Sequence, residues 1–289
     1  MNSSNHQQYL KGIDKLELIK RIREFRKLNF RDLTESEISD GILSVLKFNG
    51  VFRYLINIRM YPKGTKFFRV RPLKGSSIPN ENLLSVSDFW NPPEKYVTKY
   101  GRLNKPGESL LYTAPINPFV AINEMKLEED IIYSVIVYES KEDIKVNCIG
   151  GEYDYDELMI TDREVIITNE IINDFLRDEF SRDVGVGTEY LYKISEVIAK
   201  WYFDLPPRDV QDAWAYSSVQ SKESYNVCFR PDIAKEKLEL KGALISKNDT
   251  PNTINVRCIA HGFDDTGTTQ YYPLGSEVQK RVFPEIIIN

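Results

Sequence analysis

The ten residues Asp130 to Glu139, DIIYSVIVYE, constrain the fold of this chain more than any other stretch. Val, Ile and Tyr dominate it. β-Branched and aromatic side chains suit a pleated, half-buried surface, so the stretch is expected to be a central strand. Ile144 to Cys148 is expected to lie beside it. Lys66 to Pro72, KFFRVRP, alternates apolar and polar residues as a strand does, with Arg69 and Arg71 on one face. Asn226–Phe229, Leu238–Ile245 and Ile254–Ile259 read as further strands. Val51 to Met60 is apolar and β-rich, and fits either a strand or a helix.

Helical spacing occupies other parts of the chain. Leu16, Ile19, Ile22, Phe25 and Leu28 follow Ile13 at helical intervals, with Lys and Arg on the remaining faces. Thr34-Glu35-Ser36-Glu37 has capping-box form. The helix it opens carries Ile38, Ile42, Val45 and Leu46 and is expected to stop at Asn49-Gly50. These two helices form either a collar on the main body or a partner-binding surface. Glu164–Phe180, Thr188–Phe203 and Pro231–Lys237 also read as helices, with Pro206-Pro207 ending the second. Gly185-Val186-Gly187 has no strand before it and lacks a third Gly, so it is a helix-to-helix turn and not a dinucleotide fingerprint. The sum is an α+β chain: a central mixed or antiparallel β core flanked by helices, with an N-terminal helical extension. The expected partition is 1–60 as the helical segment, 61–247 as the main domain, and 248–289 as a strand and irregular tail.

The chain has 289 residues, 42% of them hydrophobic, 28% charged, and a net charge of −5. That length is ample for a packed core. Mild acidity argues against a general nucleic-acid binder. Three widely spaced cysteines, Cys148, Cys228 and Cys258, form no disulfide frame or metal pair, and read as buried apolar residues in a reducing compartment. The N-terminus lacks a signal-peptide core, and no apolar run reaches membrane-spanning length. A cytoplasmic protein without membrane contact is expected.

Several chemistries have little support. There are only two histidines, His6 and His261, and no nucleophile elbow for a Ser-His-Asp triad. No HExxH, Cys/His cluster or P-loop is present. The acidic loop Glu152–Glu157 carries Asp154 and Asp156 but lacks the ordered ligand pattern of a calcium loop, so no metal is expected. Phe89-Trp90-Asn91-Pro92-Pro93 puts aromatics in the loop from Pro79 to Pro93 and reads as a core anchor.

The chemistry-bearing stretch is Tyr100 to Glu124. Arg102 and Asn104 sit in a Gly/Pro-flanked turn, Tyr112 on a short strand, and Glu124 at the end of a following helix. Turns and element ends carry functional groups more often than strand centres. These residues resemble the RES domain family, named for an Arg, a Glu and a Ser. The matching positions are Gly101-Arg102-Leu103-Asn104, Gly107, Leu111-Tyr112 and Ala121 to Glu124. Then come Tyr216-Ser217-Ser218-Val219, followed by Asn226 and Pro231. Leu103 stands where Trp or Phe is usual. Ser217 stands where Pro is common, so Ser218 is taken as the family's serine and Ser217 as the alternative. The resemblance spans roughly residues 65 to 245. It implies an ADP-ribosyltransferase-like fold and a toxin or defence enzyme that consumes NAD, often paired with an antitoxin.

The implied reaction is cleavage of the nicotinamide–ribose bond, by phosphorolysis or hydrolysis. The leaving group already carries positive charge, so the need is to stabilise an oxocarbenium-like ribose. The resemblance gives Glu124 that role, Arg102 the phosphates or ribose, Tyr112 the nicotinamide face, and Ser218 the ribose or amide. Arg69, Arg71, Asn104 and Ser217 are implied substrate contacts. Arg69 and Arg71 can grip a pyrophosphate or simply form a solvated sheet face. NAD is substrate, inorganic phosphate a candidate co-substrate, and no cofactor or metal is called for. A regulatory protein or a second copy of the chain are the candidate partners. Transfer of ADP-ribose to a macromolecule, and a catalytically dead binding module of the same fold, remain open.

Overall fold

The computed structural model describes residues 8–75, 78, 83–182, 184–200, 204, 210–218, 224–249 and 253–286. The first seven residues with His6, Pro79, the end of the helix expected to reach Phe203, Pro206-Pro207 and Val219 lie outside the described residues.

In chain order, α1 is Lys15–Arg26 and α2 is Glu35–Leu46. A small hairpin follows, β1 (Lys47–Phe48) with β2 (Val51–Phe52), then β3 (Ile58–Tyr61) and β4 (Lys66–Pro72). Next are β5 (Leu111–Pro115), α3 (Pro118–Glu124), β6 (Ile132–Ser140) and β7 (Ile144–Ile149). Helices α4 (Arg163–Ser181) and α5 (Tyr192–Ile198) precede β8 (Ala213–Ser217) and β9 (Tyr225–Phe229). The chain then forms α6 (Pro231–Lys237), β10 (Leu238–Lys247), β11 (Asn255–Phe263), β12 (Thr269–Pro273) and α7 (Glu277–Val282). The protein is therefore mixed α+β. No helix among the described residues is long and apolar enough to cross a membrane.

The chain divides into two compact units, and both are discontinuous. One comprises Met1–Arg59, Val97–Glu108 and Val146–Val219; the other comprises Met60–Tyr96, Ser109–Lys145 and Gln220–Asn289. This division cuts across the three contiguous blocks expected from sequence.

The first unit is largely helical. The capping box forms: Thr34 Oγ1 accepts from the Glu37 amide at 3.3 Å, and Glu37 Oε2 accepts from the Thr34 amide at 2.8 Å. α2 ends at Leu46, earlier than the Asn49-Gly50 stop expected. Both of those residues have positive φ, +50° and +78°, and they turn the β1–β2 hairpin. Asn-Gly is the preferred pair for such a turn. α1 and α2 pack on helices of their own unit, with the Phe25 ring edge-on to Phe175 of α4 at 5.4 Å. Arg26 of α1 also pairs with Asp178, at 2.6 Å, and with the buried Glu179.

β7 pairs with β8 in parallel, from Val146↔Ala213 to Ile149↔Tyr216. This corrects the expectation that β7 lies beside β6. Both edges of β6 are already taken, by β4 and β10, so it has no free backbone groups for a third neighbour.

Glu196 of α5 is only 2% exposed. Burial raises its carboxyl pKa to about 7; Glu35 and Glu108 push the same way, against Lys200 and Lys105. A carboxyl whose pKa is higher in the fold than in the unfolded chain binds its proton more tightly when folded. Its contribution is full below the ordinary value of 4.5 and is lost as pH rises through about 7. Glu196→Gln is therefore expected to match the wild type near pH 4.5 and to melt higher at pH 8. The gain is roughly 2 kcal/mol once solvent screening is allowed for. Thermal melts across that range test this, and parallel profiles for the two proteins would refute it.

The second unit is built on a sheet in the order β12-β11-β10-β6-β4-β5-β9. The DIIYSVIVYE stretch is its middle strand, β6. The tail expected to be irregular contributes β12 and α7. Their signals are weak in sequence because β12 is a short edge strand and α7 has six residues. One face of the sheet carries a core of Phe68, Val70, Ala114, Val135, Val137 and Ile259, covered by Val120 and Ala121 of α3 and by Phe283. The Phe89-Trp90 loop is anchored on the unit: Phe89 is 1% exposed and lies edge-on to Phe263, and Trp90 packs on Tyr138.

Candidate functional site

Glu124 reaches its position through a strained junction. β5 ends at Pro115, and the next residue, Ile116, has φ of +67°. Positive φ is costly for a β-branched residue, and strain of this kind clusters at functional sites. The Ile116 amide donates to the Lys66 carbonyl at 2.8 Å, which holds the turn against β4. Asn117 then caps α3, its side chain accepting from the Phe119 amide at 3.0 Å, with Pro118 at the first helical position. Glu124 is the last residue of this helix. It lies three and four residues beyond the buried Ala121 and Val120, so helical spacing puts it on the stripe that faces the sheet.

The sheet supplies a partner there. β5 and β9 run antiparallel, with Tyr112↔Cys228 and Thr113↔Val227. Alternation puts Asn226 on the same face as Cys228 and Tyr112. The Asn226 side-chain amide donates to Glu124 Oε1 at 3.1 Å. Thr113, on the other face, donates its hydroxyl to the Val227 carbonyl at 2.9 Å and helps fix the register. Tyr112, Asn226 and half-buried Glu124 thus share one face of the second unit. Sequence reading placed Asn226 after the serine motif without assigning it a task. The signal available was its position two residues before Cys228 on an alternating strand.

Arg69 and Arg71 share a face, as expected, but it is the opposite one. The pairs Phe68↔Ala114 and Phe68↔Val137 put Phe68 with the α3 side, so Arg69 and Arg71 point away from it. Both guanidiniums are engaged by the 86–90 turn: Arg69 donates to the Trp90 carbonyl, and Arg71 to the Asp88 carbonyl at 3.0 Å. Burial and the neighbouring Arg69 charge lower the Arg71 pKa. The pyrophosphate grip read from these two arginines is therefore not on the Glu124 face. An alternating strand tells which residues go together but not which side the helix covers.

Arg102, Asn104, Ser217 and Ser218 belong to the first unit. Asn104 is buried, and its carbonyl accepts from the Gly101 amide at 2.9 Å, closing the expected turn. Ser218 is 2% exposed and Ser217 half-buried at the end of β8. Arg102 donates to the carbonyls of Phe180 and Arg182, the latter at 3.0 Å, and lies over the Tyr192 ring at 5.4 Å. It thereby puts a cation and two donors at the C-terminal end of α4, whose last turn holds no basic residue of its own. Arg102→Gln is expected to cost about 1–2 kcal/mol of stability. Urea titration of the variant measures this; an unchanged midpoint would remove the capping role.

Comparison with protein-family models, curated proteins and solved structures finds no match to this chain.

Proposed function

We propose that this chain is an NAD-consuming enzyme that cleaves the nicotinamide–ribose bond, with Glu124 as its central carboxylate. The observation that carries the reading is the Glu124–Asn226 pair, delivered by the strained Ile116 turn onto the face that holds Tyr112. Asn226 holds one carboxylate oxygen in place, and the carboxylate supplies negative charge to face the charge developing on the ribose. When the C–N bond breaks, its electron pair returns to the pyridine ring and nicotinamide leaves neutral. Water or phosphate then adds to the ribose carbon and gives up a proton. A fixed carboxylate beside that carbon stabilises the cationic transition state and can take the proton. Tyr112 offers a ring face for nicotinamide.

The RES-domain resemblance supports the same reading and extends it to a cytoplasmic toxin or defence effector held in check by a partner protein. The test is loss of NAD by the purified chain, with and without phosphate. Phosphate-dependent loss identifies a phosphorylase and phosphate-independent loss a hydrolase. Labelled macromolecule in place of free ADP-ribose would identify a transferase. One observation favours a different class: the Arg102 guanidinium is already engaged by two helix-end carbonyls. A binding module that keeps the fold without the reaction is the second reading. In that case NAD is untouched under every condition.

A further inference from the structure

Two β-bulges lie side by side in the second unit. In β10 the register with β6 shifts between Leu240 and Gly242. In β11 the register with β12 shifts between Ala260 and Phe263. The site is built for this irregularity. Gly242 has φ of +132°, and a Cβ there would sit 2.4 Å from the Ala260 carbonyl oxygen. The His261 ring bridges the two bulges, its Nδ1 lying 2.7 Å from the Lys241 carbonyl. Bulges re-aim side chains and recur beside binding sites.

Beside them lies a cavity of about 490 Å³, within the range of small-molecule sites. Val137, Leu240 and Phe283 give it apolar walls. Its charges are mixed, and most are already matched. Lys66 pairs with Glu285 at 2.7 Å, and Lys241 with Glu239 at 3.4 Å. Two lining charges of opposite sign remain with no ion pair or hydrogen bond from their side chains among the described residues: half-buried Glu139 and exposed Arg281. His261 adds a third group. A carbonyl only accepts, so the hydrogen bond to Lys241 puts the proton on Nδ1 and leaves Nε2 of the neutral ring as an acceptor.

We propose that this cavity binds a small zwitterion, an α-amino acid with an apolar side chain. Its ammonium is held by Glu139 and His261 Nε2. Its carboxylate is held by the Arg281 guanidinium, whose planar fork suits two carboxylate oxygens. The side chain rests on Val137, Leu240 and Phe283. A simple anion would meet Glu139, and a simple cation Arg281, so a ligand carrying both charges is the better match. The inference does not depend on the NAD reading.

The test is calorimetric titration of the full chain with L-leucine, N-acetyl-leucine and leucinamide. Leucine is expected to bind saturably, and loss of either ligand charge to weaken binding about tenfold or more. Arg281→Gln is expected to weaken leucine by a similar factor while leaving leucinamide unchanged. Glu139→Gln should do the same for leucine and leave N-acetyl-leucine unchanged. Circular dichroism checks that both variants are folded. Absence of saturable leucine binding, or equal binding of the three ligands, overturns the proposal.

Discussion

Glu124→Gln is expected to leave the melting temperature unchanged and to slow NAD consumption by roughly 10²- to 10⁴-fold. The substitution is close to isosteric. The glutamine carbonyl oxygen can still accept the Asn226 hydrogen bond that Glu124 Oε1 accepts at 3.1 Å, so the helix end keeps its anchor. What is lost is the negative charge. A neutral amide neither stabilises a cationic ribose nor accepts a proton from the incoming nucleophile. The rate of NAD loss, followed beside a thermal melt, separates the effects. A variant that stays folded and keeps wild-type turnover would remove Glu124 from the reaction. Asn226→Ala supplies the complementary case: the charge stays but its orientation is lost, so a smaller loss of rate is expected.

Gly242→Ala is expected to be the most destabilising single methyl added to the second unit. Two costs combine. The backbone at φ +132° disfavours any L side chain, and the new Cβ would meet the Ala260 carbonyl oxygen at 2.4 Å. That oxygen belongs to the neighbouring strand and cannot swing aside as a flexible side chain would. Strain and clash together are worth roughly 3–5 kcal/mol, or about 10 °C in melting temperature for a chain of this size. Gly267→Ala is the control, since φ there is +79° with nothing within 4 Å of the added Cβ. It carries strain alone, about 1 kcal/mol. Equal melting temperatures for the two variants would mean that the close approach of β10 and β11 is not rigid.

Local features of this fold could be read in the sequence because their causes are local. Thr34 and Glu37 sit three residues apart, and that spacing alone makes the capping box. The apolar residues of α1 and the β-branched run of β6 declare themselves in the same way. Pairing choices could not be read. Nothing within Ile144–Ile149 says that its partner is β8, because the availability of β6 depends on strands more than sixty residues away in either direction. The site divides along the same line. Glu124 at a helix end and Tyr112 on a strand were visible; the amide that holds Glu124 comes from a strand about a hundred residues later. Arg102 looked like a ligand-binding arginine because a turn usually exposes its side chain. Its carbonyl partners lie at the end of a helix that the turn's own sequence cannot announce. Glu196 carries no motif, and its raised pKa comes first from burial and then from carboxylates, Glu35 and Glu108, that are distant in sequence.

The interleaving of the two units bears on how the protein is made. Each unit draws on three separate stretches, so neither exists as an uninterrupted piece of chain. On the ribosome, the first unit cannot close until its last stretch, ending at Val219, has emerged. The second must wait for the stretch that begins at Gln220 and holds β9 to β12. Most of the polypeptide is thus synthesised before either core can form, and the apolar strand β6, though β4 is already made, waits for β10 to cover its other edge. Non-local pairing of this sort slows folding and lengthens exposure to misassociation. The same layout means that no truncation at a single point releases a self-sufficient half. A premature stop anywhere before the final strands should yield material that is cleared, not a fragment with partial activity.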